Sequence, residues 1–325
     1  MASLLFSVPE GLYMTNTMSN TITKTQSPEA IVMVRPHRFV SNPETMADNA
    51  FQYACKSKNA ALSAYHEVTE AVASLQEKGV TVHVFEDKST ATPDSVFPNN
   101  WFSTHHNGTL VQYPMYAPNR RNEYRQDIMD FLIEHYGYQT TINLRHHADE
   151  QAFLEGTGSI VFDHQHNIAY AARSKRTNES LFRRICRDMG YQAVLFDAMD
   201  ENGVPIYHTN VMMCVSTRFV MIGMDMVAEK DRPALFSLFQ QSGLSVIHLS
   251  NQQIRHFCGN AIELRGTDDN ILALSHTAFG ALTTPQKLLI EASVTLLPLA
   301  IPTIESAGGS VRCMIAGVHR SNLAQ

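Results

Sequence analysis

ALSAYHEVTEAVASLQEKGVTVHVFE, residues 61–86, reads as one amphipathic helix that ends in a glycine and turns at once into a short β-rich segment. Leu62, Tyr65, Val68, Val72 and Leu75 fall three or four apart, the spacing of a single buried stripe on a helix. Gly79 follows as a terminal cap, because glycine enters the left-handed region without a steric penalty. The same arrangement recurs in YRQDIMDFLIEHYG before YQTTINL, in ESLFRRICRDMG before YQAVLFDA, and in RPALFSLFQQSG before LSVIHLS. The capping glycines stand at 79, 137, 190 and 243, at intervals of 58, 53 and 53 residues, which is an internal repeat.

A weaker fifth copy has TPQKLLIEAS as its helix and TLLPLAIPTI as its strand, with Ser293 in place of the glycine. MMCVSTRFVMIG and AIELRGTDDNILALS read as hairpins, so each unit is strand, strand, helix, strand. A doubly wound parallel sheet also alternates helices and strands, but hairpins argue against it. Five units without a linker predict an α/β ring closed on itself, in which IVMVRP pairs beside RCMIAGV so that neither end is left as an edge. Residues 1–29, rich in Thr, Ser and Asn, read as a loosely held tail, and 30–325 as one domain.

The 325 residues are 44% hydrophobic and 17% charged, with a formal net charge of −6 and no extended basic cluster. That balance predicts a small-molecule partner, with no nucleic acid and no membrane surface. The longest apolar run, VTLLPLAIPTI, is too short for a bilayer span and carries two prolines. MASLLFSVPEG has no basic residue before its short apolar run, so no signal peptide is expected, and five cysteines without a CxxC pair fit a reducing cytoplasm.

Residues with chemical potential follow the repeat. Asp94 stands 15 residues after Gly79, Glu155 18 after Gly137, His208 18 after Gly190 and Cys313 20 after Ser293. In a pseudo-symmetric ring such positions converge on the axis, where a cysteine, a histidine and two carboxylates form the toolkit for attack on a trigonal carbon. Each also has a structural reading: Cys313 as a small core residue, His208 as a satisfied buried histidine, Glu155 as a turn residue. Cys258, 15 residues past Gly243, is the rival nucleophile. The pairs THH (104–106) and RHH (145–147), with DHQH (163–166), do not predict a metal site, since adjacent histidines on a strand point opposite ways and no spaced carboxylate joins them. LEGTGSIVF lacks the Lys and the helix start of a phosphate loop.

The segments MVRPHRFVSNPETMADNAFQ, PDSVFPNNWFSTH, APNRR, FLEGTGSIVFD, SKRTN, YHTNVMM and GGSVRCM, in this order over nearly the whole chain, resemble the guanidino-group-modifying superfamily of arginine deiminases, amidinotransferases and dimethylarginine dimethylaminohydrolases. The resemblance is strongest to its citrulline-utilization hydrolase branch. It implies a five-bladed pseudo-symmetric α/β propeller of ββαβ units, the pentein fold, and a cofactor-free hydrolase without a metal. It also implies that Cys313 is the nucleophile, that His208 protonates the leaving nitrogen and then activates water, and that Glu155 orients His208. Arg120 and Arg176 would grip the substrate α-carboxylate, and Asp94 its polar backbone end. A homodimer is left open.

The chain departs from this pattern in carrying Asn99 and Asn100 where many relatives have carboxylates, Asn210 where others have Asp, and EGTGS where a second acid often stands. The lost negative charge moves the expected substrate from a cationic guanidinium to a neutral ureido group. Citrulline cleaved to ornithine, carbon dioxide and ammonia is therefore the leading expectation, with arginine hydrolysis and a non-catalytic amino-acid-binding propeller as alternatives.

Overall fold

The computed structural model describes residues 24–46, 49–53, 55 and 59–319. Among the described residues fifteen strands form five three-stranded sheets, each built alike. β1 (Ala30–Pro36) and β2 (Thr81–Asp87) run parallel across the helix Ala60–Glu77. In the next four units a hairpin precedes the helix. β3 (Phe102–His105) pairs antiparallel with β4 (Thr109–Gln112), and β5 (Thr140–Asn143) lies parallel to β4 after the helix Gln126–Tyr136. β6 (Val161–Asp163), β7 (Ile168–Ala172) and β8 (Gln192–Phe196) repeat this around Glu179–Met189. β9 (Met213–Val215), β10 (Phe219–Ile222) and β11 (Ser245–His248) repeat it around Arg232–Gln241. β12 (Ile262–Arg265), β13 (Asn270–Ser275) and β14 (Thr295–Leu299) do so with Thr284–Glu291.

β15 (Ala316–Val318) closes the ring, pairing antiparallel with β1 in the register Ala30↔Val318. The fold is the five-bladed α/β propeller that the repeat predicts. Only Ala316–Val318 of RCMIAGV is strand, whereas Val311–Met314 is a short helical turn. First strands of neighbouring blades touch, β15 against β3, β6 against β9 and β9 against β12, so these strands line the axis. They are largely buried, while the third strands are the more exposed: β5 is mostly exposed and β8 partly so.

Gly137 and Gly190 take left-handed caps, with φ of 68° and 73°, as glycine-ended helices require. The stripe of the first helix differs from the expected one. Ala64, Val68, Ala71, Val72 and Leu75 are buried, while Leu62 is 50% exposed and Tyr65 only partly covered. The small Ala64 and Ala71 lie on the packed face, and Leu62, a turn earlier, lies off it.

Of the expected N-terminal tail, residues 1–23 lie outside the described residues. Gln26 donates to the carbonyls of Phe162 and Val215 and accepts from His164 N, which ties this segment to two blades. No helix among the described residues is long and apolar enough to cross a membrane.

Candidate active site

Cys313 sits in the turn Val311–Met314, its amide donating to Ser310 O at 3.0 Å. The preceding glycines permit close approach. A Cβ on Gly309 would stand 2.8 Å from the Phe97 ring, and one on Gly308, where φ is +81°, 2.3 Å from the Asn49 amide. Cys313 is buried, and its Sγ accepts hydrogen bonds from Asn260 Nδ2 at 3.2 Å and from Asn210 Nδ2 at 3.4 Å. Asn260 also donates to Asn210 O at 2.9 Å and its Oδ1 faces the amide of Cys313 at 3.4 Å, so one buried side chain fixes both the sulfur and its neighbour.

His208 precedes the turn Thr209–Val211, and its Nε2 lies 2.7 Å from Glu155 Oε2. Glu155 is fully buried; its Oε1 accepts from Tyr116 N at 2.8 Å and its Oε2 from Arg176 Nη1 at 3.3 Å. Burial by itself would raise the Glu155 carboxyl, but the Arg176 guanidinium and the His208 hydrogen bond outweigh it, and the group stands well below the usual carboxylate range. For His208, burial lowers the pKa and the Glu155 contact offsets only part of that, so the ring is neutral near pH 7. The EGTG glycines fit this packing. A Cβ on Gly158 would come within 2.4 Å of Asn100 Nδ2 and 2.7 Å of the His208 ring, and one on Gly156 within 2.5 Å of Asn99 O.

Asp94, Asn100, Arg120, Arg176, His208 and Cys313 line one small cavity. Three of the five blades therefore deliver a residue to it by the same route, just before a first strand: Asn100 before β3, His208 before β9 and Cys313 before β15, while Glu155, before β6, reaches the site through His208. Arg120 forms a bidentate pair with Glu123, at 3.0 Å from Nε and 2.8 Å from Nη2. Its Nη1 donates to Asn100 Oδ1 at 2.8 Å and its Nη2 to Phe97 O at 3.3 Å. Glu123, which sequence reasoning did not single out, thus engages the fork that was expected to meet a substrate carboxylate. Arg176 packs over the rings of Tyr116 and Tyr207, at 5.7 and 5.0 Å.

Asp94 accepts from Asn42 Nδ2 at 2.7 Å, and burial, opposed by Arg120, raises its carboxyl. Asp94 Oδ1, both side-chain polar atoms of Asn99, Asn100 Nδ2 and Asn210 Oδ1 are buried without a hydrogen-bond partner among the described residues. So many unsatisfied polar atoms are costly in a folded interior and mark where a small polar molecule would be held.

Cys258, the rival nucleophile, lies in an apolar cluster, donates its Sγ–H to Ala278 O at 3.3 Å and is pushed up to about 12 by burial. The residue of that blade that reaches the site is Asn260. It stands 17 residues after Gly243, close to the 18-residue offset of Glu155 and His208, so the repeat carried the signal that cysteine chemistry drew away. Asn42 lies in the MVRPHRFVSNPETMADNAFQ segment but has no offset to single it out.

A family model described as N,N dimethylarginine dimethylhydrolase, eukaryotic, matches residues 35–320. No curated protein matches the chain significantly. Among solved structures, the N-terminal domain of ArgZ, an arginine dihydrolase from the ornithine–ammonia cycle in cyanobacteria, superposes with a TM-score of 0.71 at 17% identity, over 90% of this chain and 99% of that one. AgrE in its ternary complex with ornithine and NAD+ gives a TM-score of 0.71 at 14% identity; 91% of this chain is covered but only 40% of AgrE. The Pseudomonas aeruginosa DDAH complexed with citrulline gives 0.63 at 13% identity, over 90% and 99%. At such identities the likeness establishes the propeller.

Proposed function

This chain belongs to the N,N dimethylarginine dimethylhydrolase family, and from that premise we propose that it hydrolyses a C–N bond in the ureido or guanidino group of a small amino acid, with citrulline preferred. The observation that supports this reading best is the Asn100 amide. Arginine has only donors, so the amide oxygen must be the atom that faces Arg120. Nδ2 remains as the group Asn100 offers to a substrate. An N–H donor suits the carbonyl oxygen of a neutral ureido group, whereas a guanidinium would meet it donor to donor.

In this mechanism Cys313 Sγ attacks the trigonal carbon and forms the C–S bond, its proton passing to neutral His208. The tetrahedral adduct collapses, a C–N bond breaks, and the leaving nitrogen takes the proton from His208. Water then gives a proton to His208 and adds to the S-carbamoyl carbon; the C–S bond breaks and the thiol is restored. For citrulline one water is consumed overall and ornithine, carbon dioxide and ammonia are released. Glu155 holds the imidazole and stabilises its protonated form. Arg176 and Asp94 line the same cavity and would meet the charged α-carboxylate and α-amino ends. No step needs a cofactor, and a reducing cytoplasm would keep Cys313 as a thiol.

A second reading turns Asp94 Oδ1 toward the substrate side chain instead of its α-amino end. A buried carboxylate oxygen without a partner among the described residues suits a cation, and arginine hydrolysed to citrulline or ornithine would supply one. The names of the structural neighbours, an arginine dihydrolase and a DDAH complexed with citrulline, are compatible with either substrate. A propeller that only binds amino acids would need neither a buried thiol with two amide donors nor a His–Glu pair.

Incubation of the purified protein separately with citrulline, arginine, N,N-dimethylarginine and agmatine, with assay of ornithine, putrescine, dimethylamine and ammonia, separates these readings. Ornithine and ammonia from citrulline is the expected result. Turnover of arginine or dimethylarginine without turnover of citrulline would defeat the ureido reading, and no turnover of any would defeat the hydrolase.

A further inference from the structure

We propose that His106, His164 and His319 form a binding site for a borderline divalent transition-metal ion, with zinc as the reference case, that clasps three segments of the propeller at the end of the axis away from Cys313. The residues come from equivalent places in three units. His106 directly follows β3, His164 directly follows β6 and His319 directly follows β15, so the ring symmetry that gathers the catalytic residues at one end gathers imidazoles at the other. Cys313 to His319 and Asn100 to His106 are each six residues along largely extended chain, which places the two ends up to roughly 20 Å apart. Among the described residues, the cavity beside His164 and His319 shares no lining residue with the Cys313 cavity.

The three side chains are buried and their candidate ligand nitrogens lie within 4.8 Å of one another. Ring centroids are 4.0 Å apart for His164 and His319, 4.9 Å for His106 and His319, and 5.6 Å for His106 and His164. Zinc held by imidazoles at about 2.0–2.1 Å in a tetrahedron needs small inward ring rotations from this spacing. The outer contacts orient the rings as metal-bound histidines are oriented. His106 Nε2 lies 2.9 Å from Thr25 O, and a carbonyl only accepts, so Nε2 carries a proton and Nδ1 is the nitrogen that would ligate. His164 Nδ1 lies 2.7 Å from the Tyr191 hydroxyl, and the His319 main chain is fixed by Thr104 Oγ1 and by the Tyr138 hydroxyl. His319 Nδ1 is buried without a partner among the described residues.

The chemistry of this donor set selects the ion. Three buried imidazoles offer nitrogen donors alone, and they ligate in the neutral form. Lys24 and Arg312 stand near enough to oppose a cation, and among the described residues no carboxylate joins the three nitrogens. That excludes calcium and magnesium, which need oxygen ligands, and leaves ions that bind nitrogen. Ser216 and Gly266, the equivalent positions after β9 and β12, offer no imidazole, so a fourth ligand would be a water. Because β15 closes the ring on β1, a metal on His319 would lock that closure to two neighbouring blades.

The test uses the full chain carrying Cys313→Ser, so that the active-site thiol cannot ligate, stripped of metal by chelation and titrated with cobalt(II) and then zinc. One equivalent of cobalt should give visible d–d absorption that zinc abolishes, and zinc should raise the melting temperature. Removal of a group that only orients a metal ligand costs about 10–100-fold in metal affinity, so loss of a ligand itself in His319→Ala or the near-isosteric His106→Gln should weaken zinc at least about 100-fold and cancel the thermal shift. Absence of stoichiometric cobalt or zinc binding in the parent would overturn the proposal, whether or not the variants fold. So would equal affinity in parent and His319→Ala.

Discussion

Asn260 Nδ2 stands 3.2 Å from Cys313 Sγ, and Asn210 Nδ2 approaches the same sulfur at 3.4 Å. Two amide donors on one buried sulfur satisfy it and fix the direction in which it faces the cavity. Asn260→Asp replaces a donor by an acceptor of like charge. Alkylation of Cys313 should then slow about tenfold, the effect of losing one hydrogen bond to the reacting sulfur. Asn210→Asp should act in the same direction. An unmoved alkylation rate in both variants would leave the amides a packing role only.

Burial pushes Cys186, Cys214 and Cys258 each up to about 12. At neutral pH these thiols are almost wholly protonated and inert toward electrophiles. In a Cys55→Ser background a haloacetamidine should label one site, Cys313, and labelling and turnover should vanish together in Cys313→Ser with folding intact. Label on Cys258, with activity surviving in Cys313→Ser, would reverse the assignment; mass spectrometry of the modified peptides decides.

Arg120 and Glu123 form a buried bidentate pair beneath Asn100. Arg120→Ala strands the Glu123 carboxylate in the interior, a change that typically costs about 3–5 kcal/mol. Urea denaturation should show a loss of that size, and Arg120→Leu/Glu123→Leu should recover much of it. Arg176→Ala, by contrast, should raise KM for citrulline more than it affects an analogue lacking the α-carboxylate. Equal effects on both substrates would make Arg176 structural as well.

Asn100→Asp keeps an oxygen for Arg120 Nη1 and exchanges only the Nδ2 donor for a second acceptor. A buried mispaired polar contact is worth about 1–3 kcal/mol, or one to two orders of magnitude in selectivity. The ratio of kcat/KM for citrulline to that for arginine should fall by that factor in Asn100→Asp, and further in Asn99→Glu/Asn100→Asp. A ratio that does not move, in a native protein that already prefers arginine, would end the amide-for-ureido argument.

Because His208 must be neutral to accept a proton and its pKa is lowered by burial, kcat/KM should hold through neutral pH. It should fall only as the pH drops below a value under the usual histidine range. Glu155 works against that lowering, so Glu155→Gln should move the acid limb to still lower pH while reducing kcat about 10²–10⁴-fold. A merely structural Glu155 would change stability and leave the limb in place. The pH profile of kcat/KM distinguishes the two.

The spacing of Gly79, Gly137, Gly190 and Gly243 determined the propeller, because each glycine ends a helix and each helix must return the chain parallel to the strand before it. Ring closure followed from the same count, since IVMVRP and the chain end would otherwise be open edges. The offsets after those glycines also led to Asp94, Glu155, His208 and Cys313, which periodic geometry carries to one axis. Hydrogen-bond partners were not legible in this way. Asn260 on Cys313, Glu123 on Arg120 and Asn42 on Asp94 depend on side-chain directions across blade boundaries, and sequence spacing does not encode which of two neighbouring polar groups turns inward. The histidines show the same limit: on its own strand His105 points away from His106, and only ring closure brings His106 beside His164 and His319, some 60 and 210 residues further along the chain.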